Sequence, residues 1–271
     1  MPSAKTSSNT KATLAANGLE IAYEVEGSGP PLVLLHGASS AGRLDFGHQL
    51  PLLRRSFRCY LPDARGHGGT RWDPKAGVAY EDLVDDLTAF ADALGLDTFH
   101  IAGLSMGAAT ALGFAVRHPE RVRSLVLAAI SPEREPRASV ARRLLDPDRI
   151  HREQPVWAAT LDRRHDPVQG EGGWERLLPL LGAAAAGQAL HEPGDLRRVG
   201  APALVIVGDR DPFVPVVQAL ALRRQLWDGR LLVAPDCGHE VTALRPAIVN
   251  EALTAFYRPF LSQPDAGETP P

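Results

Sequence analysis

Gly103-Leu104-Ser105-Met106-Gly107 is the stretch on which the reading of this chain turns. It follows Phe99-His100-Ile101-Ala102, a run predicted as a strand. It opens a segment in which Ala108, Ala109, Leu112, Ala115 and Val116 share one helical face before His118-Pro119. Gly-x-Ser-x-Gly is informative only in such a strand–turn–helix setting. A serine on so tight a turn holds an unfavourable backbone conformation, and small neighbours let the chain pass close by. The turn pushes the hydroxyl out of the sheet. It also leaves the first N–H groups of the helix free to meet a developing negative charge.

Outward from this turn the chain alternates. Leu32-Val33-Leu34-Leu35 is apolar at every position, as expected of a strand covered on both faces. Phe57 to Leu61, Ser124 to Ala129, Ala203 to Val207 and Leu231 to Val233 are further candidate strands. Leu14 to Val25 reads as two antiparallel strands around Asn17-Gly18, a hairpin turn signal. Helical faces fall between, at Leu83, Leu87, Phe90 and Leu94, in Val216 to Leu226 and in Ile248 to Phe260. This alternation predicts an α/β fold with a mostly parallel sheet flanked by helices. From Ser131 to Asp195 the rhythm stops, and prolines and glycines punctuate short helical pieces. About 65 residues far exceeds an ordinary connection of roughly 2–6, so a helical lid over the carboxyl edge of the sheet is expected. The expected organisation is a loose tail at 1–10, a core at 11–130 and 196–262, a lid at 131–195 and a second tail at 263–271.

The bulk properties narrow the partners. The chain has 271 residues, with a formal charge of −3 and acidic and basic residues interleaved. That balance offers no electrostatic reason to bind nucleic acid or an anionic membrane. The start has no apolar segment of a secretion signal, and no stretch approaches the ~20 apolar residues of a membrane span. A cytoplasmic protein is expected. Two cysteines, Cys59 and Cys237, cannot make a disulfide framework and are expected as buried thiols. No metal-binding or phosphate-loop signature occurs, so neither metal nor cofactor is expected. Oligomeric state is not legible.

Three further stretches carry chemistry. His36-Gly37-Ala38 ends the strand Leu32 to Leu35 and can aim a backbone N–H at the serine. An acyl intermediate needs two such donors, expected at Ala38 and Met106. Gly208-Asp209-Arg210-Asp211-Pro212 follows the strand Ala203 to Val207 and offers a carboxylate, Asp211 by choice and Asp209 as runner-up. Gly238-His239-Glu240 offers an imidazole to take and return the serine proton.

Taken together, these stretches resemble the α/β-hydrolase superfamily along nearly the whole chain outside 131–195. The order Ser105, Asp211, His239 matches the family order of nucleophile, acid and histidine. In the family pattern Gly-Asp-x-Asp the second Asp is the acid, which implies Asp211. Pro62 to Gly68 is similar to the family's turn after the following strand, with Asp63 and Arg65 structural. By motif the chain is similar to esterases, lactonases and cofactor-free haloperoxidase-like members with a small helical lid. Serine at the nucleophile position argues against haloalkane dehalogenases and epoxide hydrolases, which place Asp there. The resemblance implies a serine hydrolase cleaving a carboxylic ester or lactone through an acyl-enzyme. Its substrate would be a small molecule with an apolar acyl or aromatic part. Thioesterases, carbon–carbon-bond hydrolases and non-hydrolytic cyclases share these residues, and a ligand-binding receptor with little turnover is a further alternative. Candidate pocket residues are His36, Ser39, Trp157, His165 and Trp174. For the two tryptophans, packing of the lid onto the core is the competing role.

Overall fold

In the computed structural model, residues 10–132, 145–187 and 191–261 are described. The expected tails therefore lie outside the described residues, apart from Thr10, which opens the first strand. Residues 133–144 and 188–190 of the expected lid lie outside them too.

The strands are β1 (Thr10–Ala16), β2 (Leu19–Glu26), β3 (Pro31–Leu35), β4 (Arg58–Pro62), β5 (Phe99–Leu104), β6 (Val122–Ala128), β7 (Ala203–Gly208) and β8 (Gly229–Ala234). They form one sheet in the order β1-β2-β4-β3-β5-β6-β7-β8. Asn17 and Gly18 close the β1–β2 hairpin at φ 49 and 73, the left-handed pair a two-residue turn requires. β2 pairs antiparallel with β4, and from β4 to β8 every pairing is parallel. β3 has β4 on one side and β5 on the other, so the crossovers leave it in opposite directions. Such a reversal opens a crevice at the carboxyl ends of the strands.

Helices cover both faces. They are α1 (Leu50–Leu53), α2 (Tyr80–Ala93), α3 (Met106–Arg117), α4 (Pro147–Glu153), α5 (Pro155–Gln169), α6 (Gly173–Gly187), α7 (Pro193–Arg198), α8 (Val216–Gln225), α9 (Val241–Leu244) and α10 (Pro246–Leu261). Successive side chains of a strand point to opposite faces. Val33, Leu35 and Ile101 accordingly pack with Phe90 of α2, Leu112 of α3 and Leu222 of α8. Leu32, Leu34 and Val126 pack on the other face with Leu50 of α1 and Phe256 and Tyr257 of α10.

The 131–195 insertion is helical where described. Two of its helices, α5 and α6, run 15 residues each, longer than the short pieces the prolines suggested. Pro167 and Pro179 lie within them. An internal proline costs a helix a hydrogen bond, but tertiary packing supplies most helical stability in proteins. Here Leu161, Trp174, Leu177, Leu178 and Leu181 form a small core of their own, joined to Leu83 and to Met106 at the head of α3. Among the described residues no helix is long and apolar enough to cross a membrane.

Candidate active site

Ser105 stands between β5 and α3 at φ 53 and ψ −111, a conformation costing about 1–3 kcal/mol for a residue with a side chain. Both glycines of the motif are explained by what surrounds them. A Cβ on Gly107 would lie 2.1 Å from the Leu35 carbonyl oxygen, and one on Gly103 would lie 2.3 Å from the Gly107 carbonyl carbon. Strand β3 and helix α3 meet backbone to backbone here, which places the end of β3 beside the serine. The Ser105 N–H donates to the Ala128 carbonyl at 2.9 Å, fixing the turn to the end of β6.

Three distant stretches converge on the serine. His239 Nε2 lies 3.0 Å from Ser105 Oγ, and His239 Nδ1 lies 2.9 Å from Asp211 Oδ2. An ionised carboxylate can only accept, so the proton sits on Nδ1 and the Nε2 lone pair faces the hydroxyl. The Asp211 side chain is fully buried, whereas His239 is slightly exposed. The Phe213 and Val214 N–H groups donate to Asp211 Oδ1 at 2.9 and 3.1 Å, which leaves Oδ2 for His239. Phe213 also packs edge-on against the imidazole, 5.2 Å between ring centroids.

Asp209 does something else. It is exposed, and its Oδ1 accepts the Cys237 N–H at 3.0 Å. The backbone N–H groups of Cys237 and Asp236 hold its carboxyl below the ordinary range. It ties the loop after β7 to the loop carrying His239. Those loops touch closely, since a Cβ on Gly208 would lie 2.2 Å from the Cys237 carbonyl oxygen.

A cleft opens over Ser105 and His239. Ala38 and Met106 line it, as do Tyr80, Ala109, Ile130, Leu145, Ala185, Phe213 and Val214. Met106 is the first residue of α3, where a backbone N–H has no partner inside its helix. Leu145 and Ala185 come from the insertion, and they bring it to the site.

The five pocket candidates lie elsewhere, since none lines this cleft among the described residues. Trp174 is completely buried in the core of the insertion, and its Nε1–H donates to Asp162 at 2.6 Å. Trp157 packs beside that core, under the Arg164 guanidinium at 5.1 Å. His165 is buried and accepts the Gly68 N–H at 3.2 Å. His36 is buried, its Nδ1–H donating to the Gly37 carbonyl at 2.8 Å while Nε2 accepts the Ala64 N–H at 3.0 Å. Ser39 presents its carbonyl to Arg164. The histidine and tryptophan side chains are polar or aromatic, but packing and loop contacts within the fold engage them. Phe213 and Val214 had a local signal, because they follow Asp211-Pro212 directly. Tyr80, Leu145 and Ala185 had none.

Asp63 and Arg65 hold the turn after β4. Arg65 makes two bonds to Asp86, at 2.6 and 2.7 Å, and Asp63 accepts the Gly69 N–H at 2.8 Å. Both cysteines are buried and free, and burial pushes the Cys59 thiol up to about 12. Among the described residues no group of three or more His, Cys, Asp or Glu is arranged to hold a metal.

Similarity to known proteins agrees with this layout. A provisionally named non-heme bromoperoxidase of Mycobacterium tuberculosis, BpoC, is 28% identical over 269 residues, covering 88% of this chain and 98% of the relative. The 2-hydroxy-6-oxo-6-(2'-aminophenyl)hexa-2,4-dienoic acid hydrolase of Metapseudomonas resinovorans is 25% identical over 257 residues, covering 89% of this chain and 88% of the relative. The solved structure of a thermophilic esterase from Thermogutta terrifontis is similar at a TM-score of 0.69 and 28% identity, covering 93% of this chain and 98% of the other. The alpha/beta hydrolase family model matches residues 32–252, most of the chain, and with this sheet and this serine turn the chain belongs to the alpha/beta hydrolase family.

Proposed function

We propose that the chain is a serine hydrolase that cleaves a carboxylic ester or lactone through an acyl-enzyme. The observation that carries this reading is the unbroken line from Ser105 Oγ through His239 to Asp211, at 3.0 and 2.9 Å, beneath an apolar cleft. Ser105 is the nucleophile, His239 the base and Asp211 the acid that orients it.

In the first half-reaction His239 Nε2 takes the hydroxyl proton as Ser105 Oγ bonds to the substrate carbonyl carbon. The carbonyl electron pair moves onto oxygen, where the N–H groups of Ala38 and Met106 receive it. Collapse breaks the bond to the leaving alkoxide, which takes the proton from His239. Asp211 stabilises the imidazolium between these transfers. In the second half-reaction His239 deprotonates water, which attacks the acyl carbon. The acid departs and the proton returns to Ser105 Oγ.

The cleft wall supports a neutral, apolar acyl or aromatic group, because Tyr80, Ile130, Leu145, Phe213 and Val214 offer it mostly carbon surface. In this reading the insertion is the lid, covering the site through Leu145 and Ala185.

A fluorophosphonate probe should label the wild-type protein at Ser105 and leave Ser105→Ala unlabelled. A panel of activated esters, thioesters and lactones should show turnover by wild type and loss of nearly all of it in Ser105→Ala. Run in oxygen-18 water, hydrolysis puts the label in the released acid. Full turnover by Ser105→Ala would reject the covalent route, and unlabelled product would point to cyclisation or elimination.

A further inference from the structure

We propose that helix α5 of the insertion is part of the oxyanion-binding machinery: Arg164 and His165 are positioning residues that hold the loop carrying the Ala38 N–H. The inference rests on the serine-hydrolase reading above and adds to it a role for the insertion beyond covering the site.

The loop after β3 is held at each successive peptide group. The Gly37 N–H donates to Asp45 Oδ2 at 2.7 Å. The Gly37 carbonyl accepts from His36 Nδ1 at 2.8 Å and from the Ser40 N–H at 3.1 Å. His67 Nε2 lies 2.8 Å from the Ala38 carbonyl. The Ser39 carbonyl accepts from Arg164, and His165 bonds to that carbonyl as well. Among the described residues the Ala38 N–H itself meets no acceptor. In a trans peptide the C=O and N–H point opposite ways. Pinning the Gly37 carbonyl on one side therefore turns the Ala38 N–H to the other, and Ala38 lines the cleft over Ser105.

Two of these clamps come from α5. The helix is also fastened to the neighbouring loop after β4. His165 Nδ1 accepts the Gly68 N–H at 3.2 Å, and Gln169 Nε2 donates to the Thr70 carbonyl at 2.9 Å. The rings of His165, His67 and His36 then stack edge to face, at 5.6 and 4.9 Å, across to β3. Burial lowers all three imidazoles, His67 to about 4 and His165 to about 3. The Arg164 guanidinium is half-buried against Trp157 and faces Asp45 and Glu240 more distantly. A donor misaimed by a fraction of an ångström gives up part of the roughly 100–1,000-fold that an oxyanion contact supplies.

The test compares Arg164→Met and His165→Leu with wild type, all titrated with a fluorophosphonate so that rates refer to reactive Ser105. Two ligands separate the states: trifluoroacetophenone, which the serine traps as a tetrahedral adduct with an oxyanion, and acetophenone, which it does not. Each variant should label fully, lose about tenfold in kcat on p-nitrophenyl acetate and lose trifluoroacetophenone affinity by the same factor. KM and acetophenone affinity should stay within about twofold. His165→Gln, whose side-chain N–H can replace Nε2–H as donor to the Ser39 carbonyl, should return kcat to within about threefold of wild type. Should Arg164→Met not fold, Arg164→Gln carries the same expectation, because its shorter side chain cannot reach Ser39. Unchanged kcat and trifluoroacetophenone affinity would overturn the proposal, as would a loss confined to KM. If wild type neither labels nor turns over esters, the hydrolase reading fails first. If it does both and the variants are indifferent, only the role of α5 fails.

Discussion

At the scale of single residues, two carboxylates only two positions apart in sequence meet different fates. Asp211 is buried, bound to His239 through one oxygen and to two backbone N–H groups through the other. Asp209 is exposed and spends its side chain on the Cys237 N–H. Replacing Asp211 by Asn keeps the shape but lets the amide donate, which favours the wrong imidazole tautomer. Asp211→Asn should lower kcat by about 10,000-fold, the scale seen when a triad acid is lost elsewhere. Asp209→Asn should stay within about tenfold of wild type and lower the melting temperature, since it loosens the loop carrying His239. Ester kinetics and a thermal melt on both variants check this. A crippled Asp209→Asn beside an unharmed Asp211→Asn would reverse the assignment.

At the scale of elements, the serine turn depends on two backbones in contact. Gly107→Ala puts a methyl 2.1 Å from the Leu35 carbonyl oxygen, so β3 and α3 must part. The change should cost roughly 3 kcal/mol, and urea denaturation measures it. Gly194, in α7, is the control. A Cβ there meets nothing within 4 Å, and Gly194→Ala should change stability by no more than about 0.5 kcal/mol. Equal effects at the two sites would refute the packing account. The same scale explains α5 and α6, whose prolines do not end them because Leu161, Trp174 and Leu181 pack across the pair.

For the molecule as a whole, buried imidazoles set a dependence on pH. Burial lowers His67 to about 4 and His100 and His165 to about 3, and it lowers His36 too. In the unfolded chain each takes up its proton near the ordinary value of about 6.5. Below that pH the unfolded state binds more protons than the folded one, so stability falls as the pH drops. The stabilisation from these groups is complete above about pH 6.5 and is lost progressively toward pH 4 and below. Asp63, whose carboxyl burial raises, acts in the opposite sense, but only near the carboxylate range. Thermal melts should be flat from pH 7 to 8 and fall steadily below pH 6, with a shallower fall in His165→Asn, by about the share of one group. A melting temperature that rises from pH 7 to pH 5 would contradict this.

Much of this was legible in the sequence, for local reasons. Asn17-Gly18 dictates its hairpin through its own backbone preferences, and runs such as Leu32 to Leu35 announce strands covered on both sides. The Gly103 to Gly107 turn is a steric requirement written in adjacent residues. Ser105 and His239 likewise stood out in their own stretches, whereas Asp209 and Asp211 looked alike locally and only the resemblance to the family preferred Asp211. Tertiary structure alone decided the rest. Only docking shows that Tyr80, Leu145 and Ala185 share a cleft wall while Trp174 is sealed in the insertion and His36 and His165 face loops. The direction a side chain takes from its helix into a shared space depends on how that helix packs, and packing sums weak contacts between segments far apart in sequence.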